Sequence, residues 1–132
     1  MDGLVDLLPH RPPWLLVDRV IAREAARVEC EKQLTSADPL LFNDELPELM
    51  LIEALAQAAA CLNAGQLGRH RGLLVAASGF EFQGRARAGE TVRLVATKEA
   101  ALGALLRFSS EAFAGERLLC RGRLTFAVEG SG

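Results

Sequence analysis

The chain has 132 residues, a formal net charge of -2, 50% hydrophobic residues and 24% charged ones. That length predicts one domain, residues 1–132, with room for a real core, and excludes two nucleotide-binding domains or a large barrel. The composition excludes disorder, and the charge excludes a broadly basic nucleic-acid footprint.

In chain order, Pro9, Pro12 and Pro13 hold the approach to Trp14 extended. Leu15 to Glu24, β-branched and apolar, is the first expected strand. Arg27 to Thr35 alternates Val28, Cys30, Lys32 and Leu34 with charged neighbours and is the second. Ser36 to Leu46 carries aspartate, proline and asparagine and reads as a loop. Pro47 to Gly65, rich in Ala, Leu, Met, Glu and Gln, is a helix with proline at its start and glycine at its end. It is apolar nearly all round, so it should be buried on several faces. Four strands follow: Leu73 to Phe82, Glu90 to Glu99, Ala104 to Ala114 and Glu116 to Val128. Gly89, Gly103 and Gly115 punctuate them as in an antiparallel meander, with Val92, Leu94 and Ala96 on one face and Leu106, Phe108 and Ser110 likewise. The sum is an α+β fold in which a sheet wraps a central helix.

Several chemistries are missing. The start Met1-Asp2-Gly3-Leu4 lacks a basic segment followed by an apolar run, so no secretory leader is expected. The stretch around Leu49 to Leu62 contains Glu53 and Gln57 and is shorter than the ~20 residues a membrane span needs. Cys30, Cys61 and Cys120 are scattered and odd in number, which suggests reduced, partly buried thiols in a cytoplasmic protein. With two histidines, neither spaced with a cysteine, no zinc site is expected, and no phosphate-binding glycine motif calls for a nucleotide cofactor. No cofactor is implied.

Glu53 is the informative residue. It interrupts an apolar helix, where a carboxyl is costly unless hydrogen-bonded or protonated. Gln57 follows at i+4 on the same face and can bond it. A carboxyl so placed is suited to giving or taking a proton. The alternative is that it points to water at a gap in the packing.

The segments Leu8-Pro9-His10-Arg11-Pro12-Pro13-Trp14-Leu15-Leu16-Val17-Asp18-Arg19 and Glu53-Ala54-Leu55-Ala56-Gln57 resemble the opening motif and central-helix start of bacterial 3-hydroxyacyl-[acyl-carrier-protein] dehydratases. Gly79-Phe80-Glu81-Phe82 with Arg85, Arg87 and Gly89-Glu90 is similar to the strand and turn that follow in that family. The resemblance implies a hotdog fold, about five to six antiparallel strands around one long helix, and a dimer as the minimal unit. It implies a histidine and a glutamate acting as an acid/base pair across the dimer interface, with backbone N–H groups at the helix start polarising the thioester carbonyl. Glu53 matches the family glutamate, Gln57 the glutamine beside it, and Pro47 the proline before the helix.

The histidine does not carry over. The pattern G-H-F-P-G-x-P-x-x-P-G-x-L-x-x-E, laid on Glu53, puts Pro39 at the histidine, Asp44 at the middle proline and Glu48 at the following glycine. Among substitutes, His10 reads as a tie for the N-terminal segment and His70 as a solvated loop residue. Asn43 and Asp44 lie just ahead of the helix, where Asp44 can share acid/base work or cap free helix N–H groups. Such a pattern is similar to dehydratase-like proteins of aryl-polyene and related polyketide clusters.

Asn43, Asp44, Pro47 and Glu48 are thus candidates for substrate binding. Met50 and Phe80, with Trp14 and Phe82, either line an acyl tunnel or pack the core. Arg85 with Arg87, Arg121 with Arg123, and Arg69 with Arg71 either steer an acidic acyl carrier protein or keep sheet edges charged. Three functions follow. The first is a 3-hydroxyacyl-thioester dehydratase using Glu53; the second is a hotdog thioesterase; the third is a non-catalytic subunit paired with an active dehydratase. The expected partners are an acyl thioester, its carrier protein, and further copies of the chain or a second dehydratase, with no nucleic acid and no membrane.

Overall fold

A computed structural model describes residues 15–67 and 72–128. The elements in order are β1 (Arg19–Arg23), β2 (Arg27–Gln33), β3 (Glu45–Leu46), α1 (Glu48–Leu67), β4 (Gly72–Phe82), β5 (Ala86–Arg87), β6 (Thr91–Leu102), β7 (Leu105–Ala114) and β8 (Arg117–Val128). Six of the strands form one antiparallel sheet in the order β1-β2-β6-β7-β8-β4, and β3 and β5 pair separately. This sheet packs on the long helix α1, which is the hotdog arrangement, of α+β class.

The period-2 pattern of the later strands places the core. Val92, Leu94 and Ala96 on β6, Leu106, Phe108, Ser110 and Ala112 on β7, and Leu124 and Phe126 on β8 are all buried on the face that meets the helix. Phe108 and Phe126 meet edge to face, with centroids 5.6 Å apart. From the helix, Ala54 through Ala59 are buried without a break, and its alanines let the sheet approach closely. Gly103 and Gly115, at φ of 60° and 62°, make the tight β6–β7 and β7–β8 turns, where a Cβ would be strained.

Several boundaries differ from the sequence expectation, among them β6, which runs to Leu102 where Glu99 was expected. Ladder pairing of the first strand begins only at Arg19, because the Leu16 N–H goes to the Gln57 side chain instead of to a neighbouring strand. The segment read as a loop over Ser36 to Leu46 ends in β3, whose two residues pair with Arg87 and Ala86; two residues are too few to show a period. The helix runs to Leu67, past Gly65.

The sheet has two unlike edges. β1 has five residues, carries a bulge between Val20 and Ala22, and is tied by an Arg19–Glu31 ion pair. β4 has eleven residues, bears no charge before Glu81, and leaves Leu73 and Val75 exposed.

Candidate functional site

Gln57 is buried and its amide is fully oriented. Its Oε1 accepts from the Leu16 N–H at 2.7 Å, so its Nε2 is left to donate, and it does so to Glu53 Oε1 at 3.3 Å. Glu53, one turn earlier, is half-buried in the second turn of α1. The spacing expected from sequence is thus realised, and the structure adds the Leu16 tie, which sequence spacing gives no means of finding. The lead-in segment 15–18 is clamped twice. Leu16 is held by Gln57, and Asp18 accepts from the Gln33 N–H at 2.6 Å while its other oxygen lies 3.6 Å from Lys32 Nζ.

The helix begins at Glu48, with the Pro47 carbonyl accepting from the Met50 and Leu51 N–H groups. Proline fits there because its missing N–H is one the helix does not use. Ahead of it, Phe42 and Glu45 exchange backbone hydrogen bonds around Asn43 and Asp44, at φ of 52° and 60°. Asn and Asp are the non-glycine residues that tolerate this left-handed conformation. Asp44 is therefore a turn residue, not the helix cap that its position suggested; its carbonyl accepts from the Ala88 N–H at 2.9 Å. Asn43 and Pro47, with Phe42, Glu45 and Arg85, line a cleft of about 380 Å3. Glu53, Gln57, Asp44, Glu48, Met50 and Phe80 are not in that lining.

Glu48 is half-buried and lies near the Cys120 thiol, which burial and then the Glu48 carboxylate push up to about 11. Met50 packs against the core, as do Phe80 and Phe82, whose rings stack 6.1 Å apart. The Phe80 ring covers Gly122, where an added Cβ would collide with it. Gly122, unremarked in the sequence, is what lets Phe80 lie flat on the sheet.

The loop that carries Pro39, at the family histidine position, is held by a buried ion pair. Asp38 Oδ2 lies 3.4 Å from Lys32 Nζ, with side-chain exposures of 9% and 14%, and Asp38 Oδ1 accepts from the Leu40 N–H at 3.0 Å. Lys32, Asp38 and Pro39, with Leu15, Asp18 and Thr35, line an open cleft of about 800 Å3. Lys32 shares the alternation of Val28, Cys30 and Leu34 expected from sequence, but its partners Asp18 and Asp38 are distant in sequence and could not be read there.

Most of the arginine pairs proposed as docking patches are engaged locally. Arg87 pairs with Glu45, Arg121 with Glu81 and Arg123 with Glu99, while Arg117 holds Glu90 through both carboxylate oxygens. Arg85, in the loop between β4 and β5, is the one of Arg85, Arg87, Arg121 and Arg123 with no ion pair among the described residues, and it lines the cleft ahead of the helix. His10, His70, Trp14, Arg69 and Arg71 lie outside the described residues. No described helix is long and apolar enough to cross a membrane.

Comparison with known proteins agrees with this geometry. The family model for ApeP-like proteins, described as ApeP dehydratase, matches residues 3–129. The 3-hydroxyacyl-[acyl-carrier-protein] dehydratase FabZ of Chloroflexus aggregans is 33% identical, over 97% of this chain and 94% of its own. That of Cupriavidus taiwanensis is 32% identical over 96% and 91%. Among solved structures, the dehydratase heterocomplex ApeI:P of Xenorhabdus doucetiae aligns with a TM-score of 0.87 at 20% identity, over 99% of this chain and 93% of that one. A hypothetical thioesterase of Streptococcus pneumoniae with coenzyme A aligns at 0.73 and 12% identity, over 86% of each.

Proposed function

This chain belongs to the ApeP-like dehydratase family, and we propose that it dehydrates 3-hydroxyacyl thioesters of acyl carrier protein, in fatty-acid or polyene biosynthesis, with Glu53 as the acid/base group it contributes. The observation that carries this reading is the Glu53–Gln57–Leu16 relay. A buried amide, locked by a backbone N–H, presents its NH2 to a half-buried carboxylate in the middle of an apolar helix. A purely structural subunit has no need of that arrangement.

Dehydration removes a proton next to the thioester carbonyl and lets the 3-hydroxyl leave as water, so it needs one base and one acid. Glu53 supplies one of the two. Pro39, which has no titratable group, supplies neither. The second group therefore comes from a partner subunit, and a second dehydratase that keeps the histidine completes the pair, whereas a homodimer of this chain lacks the histidine twice. The long edge of β4, uncharged as far as Phe80, suits such an association, because the open side of an edge strand of this kind invites another strand. The name of the solved ApeI:P heterocomplex supports the same reading. Asn43 and Pro47 then border the path of the thioester arm, Met50 and Phe80 bound the acyl chain, and the work is cytoplasmic.

The test is incubation of a 3-hydroxyacyl carrier thioester with the chain alone, and with the chain co-expressed with a histidine-bearing dehydratase from its own genome. Mass spectrometry of the mixed complex should show the enoyl thioester, and Glu53→Gln should remove it. Release of free thiol instead identifies a thioesterase. Full activity of the mixed complex with Glu53→Gln identifies a subunit without catalytic part.

A further inference from the structure

The cleft lined by Phe42, Asn43, Glu45, Pro47 and Arg85 has walls fixed by backbone hydrogen bonds. β3 pairs with β5 through Leu46 and Ala86, the residue after Arg85. Before Arg85, the Gln83 and Gly84 N–H groups both donate to the Leu119 carbonyl, at 2.8 and 3.2 Å. The Arg85 carbonyl itself accepts from Arg117 Nη2 at 2.9 Å. The turn that carries Asn43 is closed by the Phe42 and Glu45 backbone exchange.

Charges around the cleft are settled pairwise, with one exception. Glu45 lies 3.3 Å from Arg87 Nε, and Glu90 is held by Arg117 through both oxygens. Asp44 and Glu48 do not line the cleft. Arg85 is exposed and has no ion pair among the described residues, so its positive charge stands uncompensated in the cleft wall. Phe42, in the same lining, is 72% exposed. A rigid loop that presents a guanidinium and a bare aromatic ring to one cleft is preorganised for an anion that adjoins an apolar group.

We propose that this cleft seats the phosphate end of the phosphopantetheine arm that tethers the acyl group to its carrier protein, with Arg85 as the residue that binds the phosphodiester. The inference rests on the carrier-thioester reading above and adds the group that selects for the arm. From its protein end, such an arm runs through a phosphodiester, a carbon bearing two methyl groups, and amides to the thioester sulfur. Arg85 meets the phosphate oxygens with its fork of N–H donors, Phe42 meets the methyl groups, and the Asn43 carboxamide pairs with an amide of the arm. Glu45, neutralised by Arg87, does not repel the phosphate. Pro47 stands six residues before Glu53. At ~1.5 Å per residue that is a rise of about 9 Å along the helix, which the extended arm can span. Arg85 touches no reacting atom on this reading; it fixes which substrates are held, not how they react.

The experiment titrates the full-length chain, alone and co-expressed with a histidine-bearing dehydratase, by calorimetry. The probes are two unreactive thioether analogues of the acyl arm, one ending in a methyl phosphodiester and the other in the free hydroxyl. The phosphodiester probe should bind roughly tenfold more tightly in at least one preparation, and its advantage should shrink as ionic strength rises. Arg85→Gln should weaken that probe alone and bring the two within about twofold of each other, whereas Arg85→Lys should keep part of the preference. Arg121→Gln, which removes a cation paired with Glu81 outside the cleft lining, should leave the preference intact. Equal binding of the probes or no binding of either in both preparations, or a preference that survives Arg85→Gln, would overturn the proposal. A coenzyme A analogue that outcompetes the phosphodiester probe, by a margin that Arg85→Gln removes, would assign the cleft to a nucleotide-bearing arm and overturn the carrier as its source. Because titration needs no turnover, the two readings fail separately. A phosphate preference lost in Arg85→Gln stands even where Glu53 catalyses nothing, and dehydration by a chain indifferent to the phosphate sinks this inference alone.

Discussion

Glu53 and Gln57 sit on a long helix inside the sheet, whereas Pro39, Asn43 and Asp44 sit on the loop that leads into it, and the two regions are held by different means. On the helix, polar groups bond one another in the order Leu16 to Gln57 to Glu53, and the last carboxylate stays half-open. On the loop, charge is consumed locally, Asp38 by Lys32 and the Leu40 N–H, Glu45 by Arg87. Asp44, for its part, is fixed by backbone bonds as a turn. On the reading proposed above, the helix side keeps a group for chemistry and the loop side is built for shape. Of the three departures from the family pattern, Pro39 and Asp44 lie on the loop and Glu48 opens the helix.

The largest effect should fall on the helix. Glu53→Gln keeps an acceptor for Gln57 and the same volume, so the fold should survive. Turnover of the complex should drop by ~10²–10⁴-fold, the usual contribution of a positioned acid/base. Turnover within twofold of the parent would erase the distinction between the two sides. Gln57→Ala should come next, this time in stability. It strands the buried Leu16 N–H and leaves a gap, at a cost of ~2–3 kcal/mol measured by urea denaturation. Because Glu53 loses its orienting donor, turnover should also fall, by less than with Glu53→Gln.

The fold was legible because it is written in periods. Alternation along Val92 to Ala96 and Leu106 to Ser110 named the inward faces, and the alanine-rich helix named the centre. The polar pair was legible because i and i+4 on a helix are neighbours whatever the tertiary structure. What stayed hidden depends on partners distant in sequence. The Leu16 tie to Gln57 spans 41 residues. Lys32 looks solvated until Asp18 and Asp38 converge on it, and Gly122 looks ordinary until Phe80 lies over it. Asp44 was left between helix cap and proton-transfer group, because an aspartate a few residues ahead of a helix serves either purpose, and its φ of 60° puts it in a turn instead.

On the loop, Asp38→Ala should act on stability alone. It leaves the ammonium of Lys32, only 14% exposed, with Asp18 at 3.6 Å, and it frees the Leu40 N–H. A loss of ~1–2 kcal/mol is expected. Turnover per folded molecule should stay within about twofold, since this loop contributes no proton-transfer group. A loss of turnover as deep as that of Glu53→Gln would make the Lys32–Asp38 pair part of the reaction and give the loop a catalytic share.

The smallest effect, opposite in sign, should come from Asp44→Gly. An aspartate at φ of 60° is tolerated but strained, and Asn-Gly is the pair that a two-residue turn of this hand prefers. Relief of that strain is partly offset by the extra freedom glycine brings to the unfolded chain, so the net gain should be at most ~1 kcal/mol. The bond from the Ala88 N–H to the residue-44 carbonyl involves only backbone and should persist. The same variant removes a carboxylate that sits four residues before the helix. If Asp44 serves only the turn, thermal denaturation shifts slightly upward while turnover is unchanged at every pH. If turnover falls as stability rises, the carboxylate has stood in for the absent histidine, and the loop side is not the purely structural half that its hydrogen bonds describe.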